Sequence, residues 1–327
     1  MLGVWFGTLR HGYRFARLLQ ADDLEERGYH LAAQALRSEP VVACSYERYL
    51  AVTPEGRVVT WGPPPCRRSR SHPYVRKPDR LLRDVRAVAA GTGHYLALTG
   101  DGRVVAWGDN FFGQCNVPEG LPPVEAVAAG SYHSLALTAE GRVLAWGNKF
   151  DGQCNVPDDL PPVVAVAAGL SYSFALTADG DVVVWGYGSE ELAPPAGLKA
   201  VAVAAGTSHA LAVTPEGRVA AWGSNSSGQL NVPPGLPPVV AVDTGYDYSV
   251  ALTVTGDAVV WGRPQFTRDS LSGLKAVAVA AYGVPLLVVT PEGRVVVWSN
   301  HARDPLCAVP PDLTVRTTPS GMPAGNT

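Results

Sequence analysis

Tryptophan recurs along the chain at nearly equal intervals, and this spacing constrains the fold more than any other feature. Seven tryptophans follow one another at intervals of 37 to 46 residues, and glycine follows six of them. A short turn of the Glu-Gly-Arg or Asp-Gly-Arg type, or a close variant, precedes each one. The chain therefore contains seven copies of one unit, whose tryptophans are Trp61, Trp107, Trp146, Trp185, Trp222, Trp261 and Trp298.

Each unit predicts four short β-strands. In the third unit, a strand of small residues spans 126–130, and two β-prone runs at 133–138 and 142–146 flank the turn. A fourth short element at 153–157 ends the unit. Short β-prone runs separated by turn signals about every ten residues are typical of antiparallel sheets, so each unit predicts one four-stranded sheet.

Seven such sheets favour an all-β fold, a closed seven-bladed β-propeller, because a repeat of this length cannot bury both faces of its sheet alone. We expect the propeller to cover residues 41–316, with an open β-solenoid as the alternative. Residues 1–40 predict a largely helical N-terminal extension, which either packs on the propeller as a cap or binds a partner. Residues 309–316 copy the linker into a next unit and predict a closing strand. Residues 317–327 predict a disordered tail.

Composition narrows the possible functions. The formal net charge is −3, which gives no overall electrostatic case for binding nucleic acid or an anionic membrane. Five cysteines are scattered without a C-x-x-C pair, so reduced thiols are expected in place of a zinc site or a redox pair. The N-terminus lacks the basic region of a secretory signal, and no apolar run approaches the roughly 20 residues that span a bilayer. We therefore predict a cytoplasmic protein without a metal, a cofactor or membrane association.

The repeated motif resembles a known family. The pattern V-A-A-G-x-x-H-x-L-A-L-T-x-[DE]-G-R-V-x-x-W-G-x-N-x-x-G-Q recurs over about residues 41–315 and resembles the repeat of the regulator-of-chromosome-condensation propellers. Its GQ-x-N-V-P ending and short loops are similar to bacterial β-lactamase inhibitory proteins of the propeller type. The first resemblance implies guanine-nucleotide exchange on a small GTPase, and the second implies inhibition of a target enzyme.

One face of the predicted propeller carries variable loops. In an up-and-down sheet, the G-x-x-H loop and the W-G-x-N-x-x-G-Q loop lie on one face, and the E-G-R turns and L-P-P linkers lie on the other. Variable loops on a rigid frame are where recognition usually resides. Aromatic rings with scattered charges are typical of a protein interface. The predicted partner-binding residues are Tyr46, Glu47, Phe111, Phe112, Tyr132, Phe150, Tyr187, Tyr246, Asp247 and Phe266.

Histidines and cysteines also recur at equivalent positions. His94, His133 and His209 follow the same loop in three units, which leaves a metal site around the axis or a structural hydrogen bond within each blade. We favour the hydrogen bond, because histidine belongs to the repeat pattern itself. Cys115 and Cys154 match a leucine in the fifth unit, which indicates packing.

The connection at 63–86 is strongly basic. It carries eight basic and two acidic side chains, a local charge of +6. A solvated loop, an acidic protein partner and nucleic acid are the alternatives, and few side chains there could stack on bases. The candidate residues for binding an acidic partner are Arg67, Arg68, Arg70, Arg76 and Lys77.

Catalytic motifs are missing from the sequence. It contains no G-x-S-x-G, H-E-x-x-H or Walker-type phosphate loop. A propeller can still assemble a pocket for a small molecule at its axis, where Glu47, Arg48, Asp247 and the histidines are the best candidates. We predict a non-enzymatic protein-binding module that inhibits or regulates a partner enzyme. An exchange factor for a small GTPase and an axial enzyme are the alternatives.

Overall fold

The computed structural model describes residues 41–45, 48–63, 73–78, 82–263, 271, 273–298, 308–315 and 317. The predicted N-terminal helical extension and nearly all of the predicted tail lie outside these residues. Within the described part the chain forms β-strands and no α-helix, so no helix there could cross a membrane. The strands are β1 Val42–Cys44, β2 Tyr49–Val52, β3 Val58–Trp61, β4 Tyr74–Val75, β5 Val85–Ala90, β6 His94–Thr99, β7 Val104–Asp109, β8 Val124–Ala129, β9 His133–Thr138, β10 Val143–Gly147, β11 Val163–Ala168, β12 Tyr172–Thr177, β13 Val182–Gly186, β14 Ala202–Ala205, β15 His209–Val213, β16 Val219–Gly223, β17 Val239–Thr244, β18 Tyr248–Thr253, β19 Ala258–Gly262, β20 Ala278–Ala281, β21 Leu286–Val289 and β22 Val295–Trp298.

The strands pair into seven antiparallel sheets, one for each repeated unit. Six sheets have three strands in sequence order, as in β8, β9 and β10 of the third sheet. The second sheet has four, in the order β4-β7-β6-β5. The all-β class and the seven blade-like sheets predicted from the sequence are confirmed.

The fourth element of each unit differs from the prediction. In the third unit, residues 153–157 form a turn and an irregular segment outside the sheet. The amide of Asn155 donates to the carbonyl of Gly152 at 2.9 Å, which closes a turn. Pro157 has no N–H for a strand ladder. The single fourth strand among the described residues, β4, comes from the basic connection instead.

Each turn joins its sheet to the next one. In the third sheet, Gly141 has a φ of +77° and its amide donates to Thr138 O at 3.0 Å. Glycine adopts this conformation without the strain that a side chain would introduce. The carbonyl of Gly141 accepts a bond from the amide of Val163, at the start of β11. The equivalent bond to the next sheet recurs at Gly56–Val85, Gly102–Val124, Gly180–Ala200, Gly217–Val239 and Gly256–Ala276, and the seventh turn makes it to the segment after the seventh sheet, at Gly293–Val315.

The middle strand of each sheet forms the core. All six residues of β9 are buried, and both Leu135 and Leu137 have no exposed surface. Burial on both sides explains why its central residues 135–137 are all apolar and do not alternate with polar ones. The neighbouring sheets supply the covering residues, because each hydrophobic cluster draws on more than one repeat.

The first and the last sheets are in contact. The thiol of Cys44 in β1 lies 3.6 Å from the carbonyl of Ala280 in β20. Val42 and Leu287 belong to one hydrophobic cluster, which also takes in Val315 from the segment after the seventh sheet. The predicted closing strand at 309–316 is a single bridge between Thr314 and Arg294 in the described residues.

Candidate functional site

One repeated backbone bond places both variable loops on the same face. The amide of Asn148, after β10, donates to the carbonyl of Tyr132, between β8 and β9, at 2.9 Å. The amide of Asp109 makes the equivalent bond to Gly93 O at 2.8 Å. The Glu-Gly-Arg turns lie at the opposite ends of these strands. We call this surface the loop face; it comprises loops 91–93, 109–114, 130–132 and 148–153 and their equivalents in the other sheets.

A shared frame holds the loops that follow the tryptophans. The side-chain oxygen of Gln114 accepts a bond from Phe112 N at 2.9 Å, and the amide of Gly113 donates to Asn110 O at 3.2 Å. Equivalent bonds join Gln153 to Asp151 and Gln229 to Ser227. The two residues before the glycine therefore occupy a slot of constant backbone shape, which we call the two-residue slot: 111–112, 150–151 and 226–227 in the second, third and fifth sheets.

Aromatic side chains from the second and third sheets form one cluster on the loop face. The ring of Phe112 is half-buried and lies 4.8 Å from Phe111, 5.3 Å from Tyr132 and 6.1 Å from Phe150, measured between ring centres. All three pairs have the edge-to-face geometry that aromatic rings prefer. Phe111 is 54% exposed and Phe150 is 87% exposed. Phe112 thus supports a patch whose outer rings face solvent.

The remaining predicted interface residues are spread over other sheets. Tyr187 lies in the loop of the fourth sheet and is 73% exposed. Tyr246, in the sixth sheet, is also exposed, and the adjacent Asp247 pairs with Arg263 at 3.5 Å. Leu170 adds an exposed apolar side chain in the fourth sheet that the sequence analysis did not select. Tyr46, Glu47 and Phe266 lie outside the described residues.

The predicted hydrogen bond of each histidine within its own blade is wrong. The histidines bond to serines of the next sheet. His133 Nε2 lies 2.9 Å from the hydroxyl of Ser173 in the fourth sheet. That hydroxyl donates to Gln153 O at 2.9 Å, and the indole N–H of Trp185 donates to the same oxygen. The repeat pattern shows which residues are equivalent but not which neighbouring sheet a side chain reaches. The same set occurs at His94 with Ser134, Gln114 and Trp146, and at His209 with Ser249, Gln229 and Trp261.

Burial keeps these histidines neutral. The serine hydroxyl donates its hydrogen to the glutamine carbonyl, so it accepts a hydrogen bond from the Nε2–H of the imidazole, and Nδ1 of the neutral ring carries no proton. Burial lowers the pKa of His94 to about 3 and those of His133 and His209 to about 4. Each of these histidines is fully buried between two sheets. Their role is therefore to join sheets.

One side chain that the sequence analysis missed crosses the loop face. The hydroxyl of Tyr282, from the seventh sheet, lies 2.8 Å from Thr92 Oγ1 and 3.0 Å from Ser131 Oγ, in the second and third sheets. Five repeats have glycine at the position of Tyr282, and in the third repeat a Cβ on that glycine would clash with the His133 ring. The seventh repeat has Pro285 in place of the histidine, which leaves room for the tyrosine. The sequence signal for this contact is a pair of exceptions to the repeat: Tyr282 replaces glycine, and Pro285 replaces histidine.

A second missed residue is Asp243, on β17, the first strand of the sixth sheet. Its carboxylate accepts bonds from the amides of Thr244 and of Ala281, the latter in the seventh sheet, both at 2.8 Å. Burial raises its pKa to about 7, although both amide bonds act to lower it. Alanine is the usual residue here, as at Ala128 and Ala204, so the departure from the repeat was again the available signal.

The basic connection is described only in part. Arg67, Arg68 and Arg70 lie outside the described residues. Arg76 is exposed after β4. The ammonium group of Lys77 donates to Val58 O at 2.8 Å, which directs it toward the first sheet and away from the loop face.

The cysteines of the loops pack as inert thiols. The thiol of Cys115 lies 3.3 Å from Asp109 O, and that of Cys154 lies 3.0 Å from Asn148 O. Burial raises the pKa of Cys115 to about 12 and that of Cys154 to about 11. Thiols with such pKa values are poor nucleophiles near neutral pH. Among the described residues, no three histidine, cysteine or acidic side chains group as a metal site.

The repeat type follows from a sequence comparison. The profile of the regulator of chromosome condensation (RCC1) repeat matches residues 85–114, 124–153, 163–190 and 200–229. Residues 85–229 therefore contain four repeats of the RCC1 type. The predicted likeness to these repeats is confirmed, while the likeness to β-lactamase inhibitory proteins stays a prediction. The search of curated protein sequences found no match to this chain.

Solved structures agree with this fold. The CRINKLY WD40 ectodomain of the Arabidopsis thaliana receptor kinase ACR4 matches with a TM-score of 0.61 and 24% identity, over 80% of this chain and 96% of that one. Human WBSCR16 matches with a TM-score of 0.62 and 22% identity, over 76% and 86%. Saccharomyces cerevisiae Prp20p matches with a TM-score of 0.59 and 20% identity, over 74% and 80%. At these identities the likeness shows the fold alone.

Proposed function

We propose that this RCC1-type propeller is a non-enzymatic protein-binding module that inhibits or regulates a partner enzyme through its loop face. The observation that carries the proposal is the cluster of Phe111, Phe112, Tyr132 and Phe150, whose outer rings are exposed on loops that hydrogen bonds hold in place. Rigid aromatic rings bury large areas at low entropic cost, and they dominate the binding energy of many interfaces. The exposed Tyr187 of the fourth sheet extends the same surface.

Regulation of a small GTPase is the second candidate. It is supported by the likeness to yeast Prp20p, a protein studied for its binding to Gsp1p and histones. Kap60 has also been crystallised bound to the same yeast protein. The histidines give no support to an axial enzyme, because their side chains are buried between sheets and bonded to serines.

The test removes the two outer rings together. Phe111→Ala with Phe150→Ala should weaken partner binding at least about tenfold, since one ring at an interface centre contributes roughly 2 kcal/mol. Titration calorimetry with a partner captured on the wild-type protein measures the change. The melting temperature should stay nearly constant, because both rings are exposed.

Glu140→Ala provides the matched control on the opposite face. Glu140 is exposed in the turn before β10, so its loss should change neither binding nor stability. Equal affinity for the wild type and the phenylalanine double variant would refute the loop-face proposal. Acceleration of nucleotide release from a purified small GTPase, lost in the same double variant, would favour the second candidate.

A further inference from the structure

The outer edge of β10 presents backbone groups that can pair with another strand. The amide of Asn148 donates inward to Tyr132 O, and successive residues of a strand alternate in direction. The amides of Ala145 and Gly147 therefore point away from β9. Among the described residues, no strand pairs with this edge.

The equivalent edge in the second sheet is already occupied by a strand of this chain. There β4 runs antiparallel to β7, with Tyr74 opposite Asp109 and Val75 opposite Gly108. The amide of Asn110 donates to Pro73 O at 3.0 Å and extends the pairing to the loop face. Val75 packs against two hydrophobic clusters. The second repeat thus shows how an extended segment fits such an edge.

Apolar side chains from the linkers before and after the third sheet share hydrophobic clusters with β10. Val117 and Leu121, from the preceding linker, pack in the same cluster as Trp146. Val156 and Leu160, from the following linker, pack in the cluster of Val143, Ala145 and Leu135. All four linker residues are only half-buried. An added strand would cover them with the side chains that alternate to its two faces.

Charge distinguishes the two ends of this edge. Phe150 stands exposed at the loop-face end. Toward the other end, each linker carries exposed carboxylates: Glu119 lies between Val117 and Leu121, and Asp158 and Asp159 lie between Val156 and Leu160. In the second sheet, β4 continues in the same direction into Arg76 and Lys77. A basic continuation of an added strand would meet opposite charge at β10.

We propose that the outer edge of β10 binds an extended protein segment as an added antiparallel strand. The segment places an aromatic or aliphatic residue beside Phe150 and basic residues beside Glu119, Asp158 and Asp159. This inference rests on the proposed function, since it describes how a protein partner of the loop face continues over the edge. Backbone bonds supply the affinity in this mode of recognition, and alternate side chains supply the specificity.

A synthetic peptide with the sequence of residues 71–78, SHPYVRKP, is the probe, because it contains the strand that occupies the equivalent edge. Titrated into the full-length ¹⁵N-labelled protein, it should shift the amide signals of Ala145 and Gly147 in a saturable manner. A methyl group on the peptide nitrogen equivalent to Val75, which faces the edge, should abolish these shifts. A methyl group on the nitrogen equivalent to Tyr74, which faces away, should leave them.

Two comparisons sharpen the result. The fifth sheet has the same open edge but Ser226 and Ser227 in its two-residue slot, so the amides of Ala221 and Gly223 should shift less. Asp158→Lys with Asp159→Lys should weaken the peptide at least about threefold, because it reverses the charge that attracts the basic end. Absent shifts at Ala145 and Gly147, or equal shifts with both methylated peptides, would overturn the added-strand proposal.

The outcome is separable from that of the loop-face proposal. Loss of partner binding in the Phe111/Phe150 double variant together with a silent β10 edge would keep the loop face and reject the added strand. Saturable shifts at the edge, together with an unchanged partner affinity in the double variant, would support the added strand and reject the loop face.

Discussion

At the scale of single residues, the buried histidines make stability depend on pH. Burial lowers the pKa of His133 to about 4, whereas a histidine in an unfolded chain titrates near 6.5. Between these values the unfolded chain binds the proton and the folded protein does not. The stabilisation is therefore complete above about pH 6.5 and is lost as the pH falls toward 4. At pH 5 the loss from one such histidine is about 2 kcal/mol.

The variant His133→Gln isolates this effect. A glutamine amide can still donate to the Ser173 hydroxyl, but it does not titrate. Urea unfolding of both proteins at pH 7.5 and pH 5 should show a drop in the free energy of unfolding that is about 2 kcal/mol smaller in the variant. The same drop in both proteins would mean that His133 is not the group responsible.

At the scale of elements, the seventh sheet is held to two distant sheets by the hydroxyl of Tyr282. Its bonds to Thr92 and Ser131 bypass the first sheet altogether. Tyr282→Phe keeps the ring and removes both bonds, so it should lower the free energy of unfolding by about 1 to 2 kcal/mol. Thermal unfolding monitored by circular dichroism measures this loss. Tyr187→Phe, whose side chain is mostly exposed, is the control and should leave the melting temperature unchanged.

The three inner strands of each unit were predictable, whereas the fourth element was not. Runs such as 133–138 have consecutive apolar residues at their centre because both faces are covered, and the turn beside them needs glycine at one position. Residues 153–157 include Asn155 and Pro157, which are both unfavourable in a strand. Their path is set by bonds from the loop to the next sheet, as between Ser173 and Gln153 O, which one repeat cannot reveal.

The sequence predicted the exposed aromatic residues of the candidate site but not the residues that join distant sheets. The variable loops placed Phe111, Phe150 and Tyr187 on a surface, since a two-residue slot in a turn leaves little room for burial. Tyr282 and Asp243 were missed because each replaces a small residue at a packed position. Only the folded chain shows the distant partners that make those replacements favourable.

At the scale of the whole molecule, contact between the first and last sheets predicts a compact particle. The Cys44–Ala280 approach and the cluster they share with Val315 bring residues of the first and last sheets together. Small-angle scattering should give a radius of gyration near the roughly 20 Å expected for a compact chain of this length. A distance distribution with the long tail of a rod would contradict a closed ring and favour the open solenoid.

The two-residue slot also bears on how such a protein diversifies. One backbone shape holds Phe-Phe at 111–112, Phe-Asp at 150–151 and Ser-Ser at 226–227, and the bonds that maintain it come from the neighbouring glycine and glutamine. Point mutations in the slot therefore change what the surface presents without disturbing the bonds that hold the fold. A library randomised only at these three pairs would sample new specificities on an unchanged scaffold.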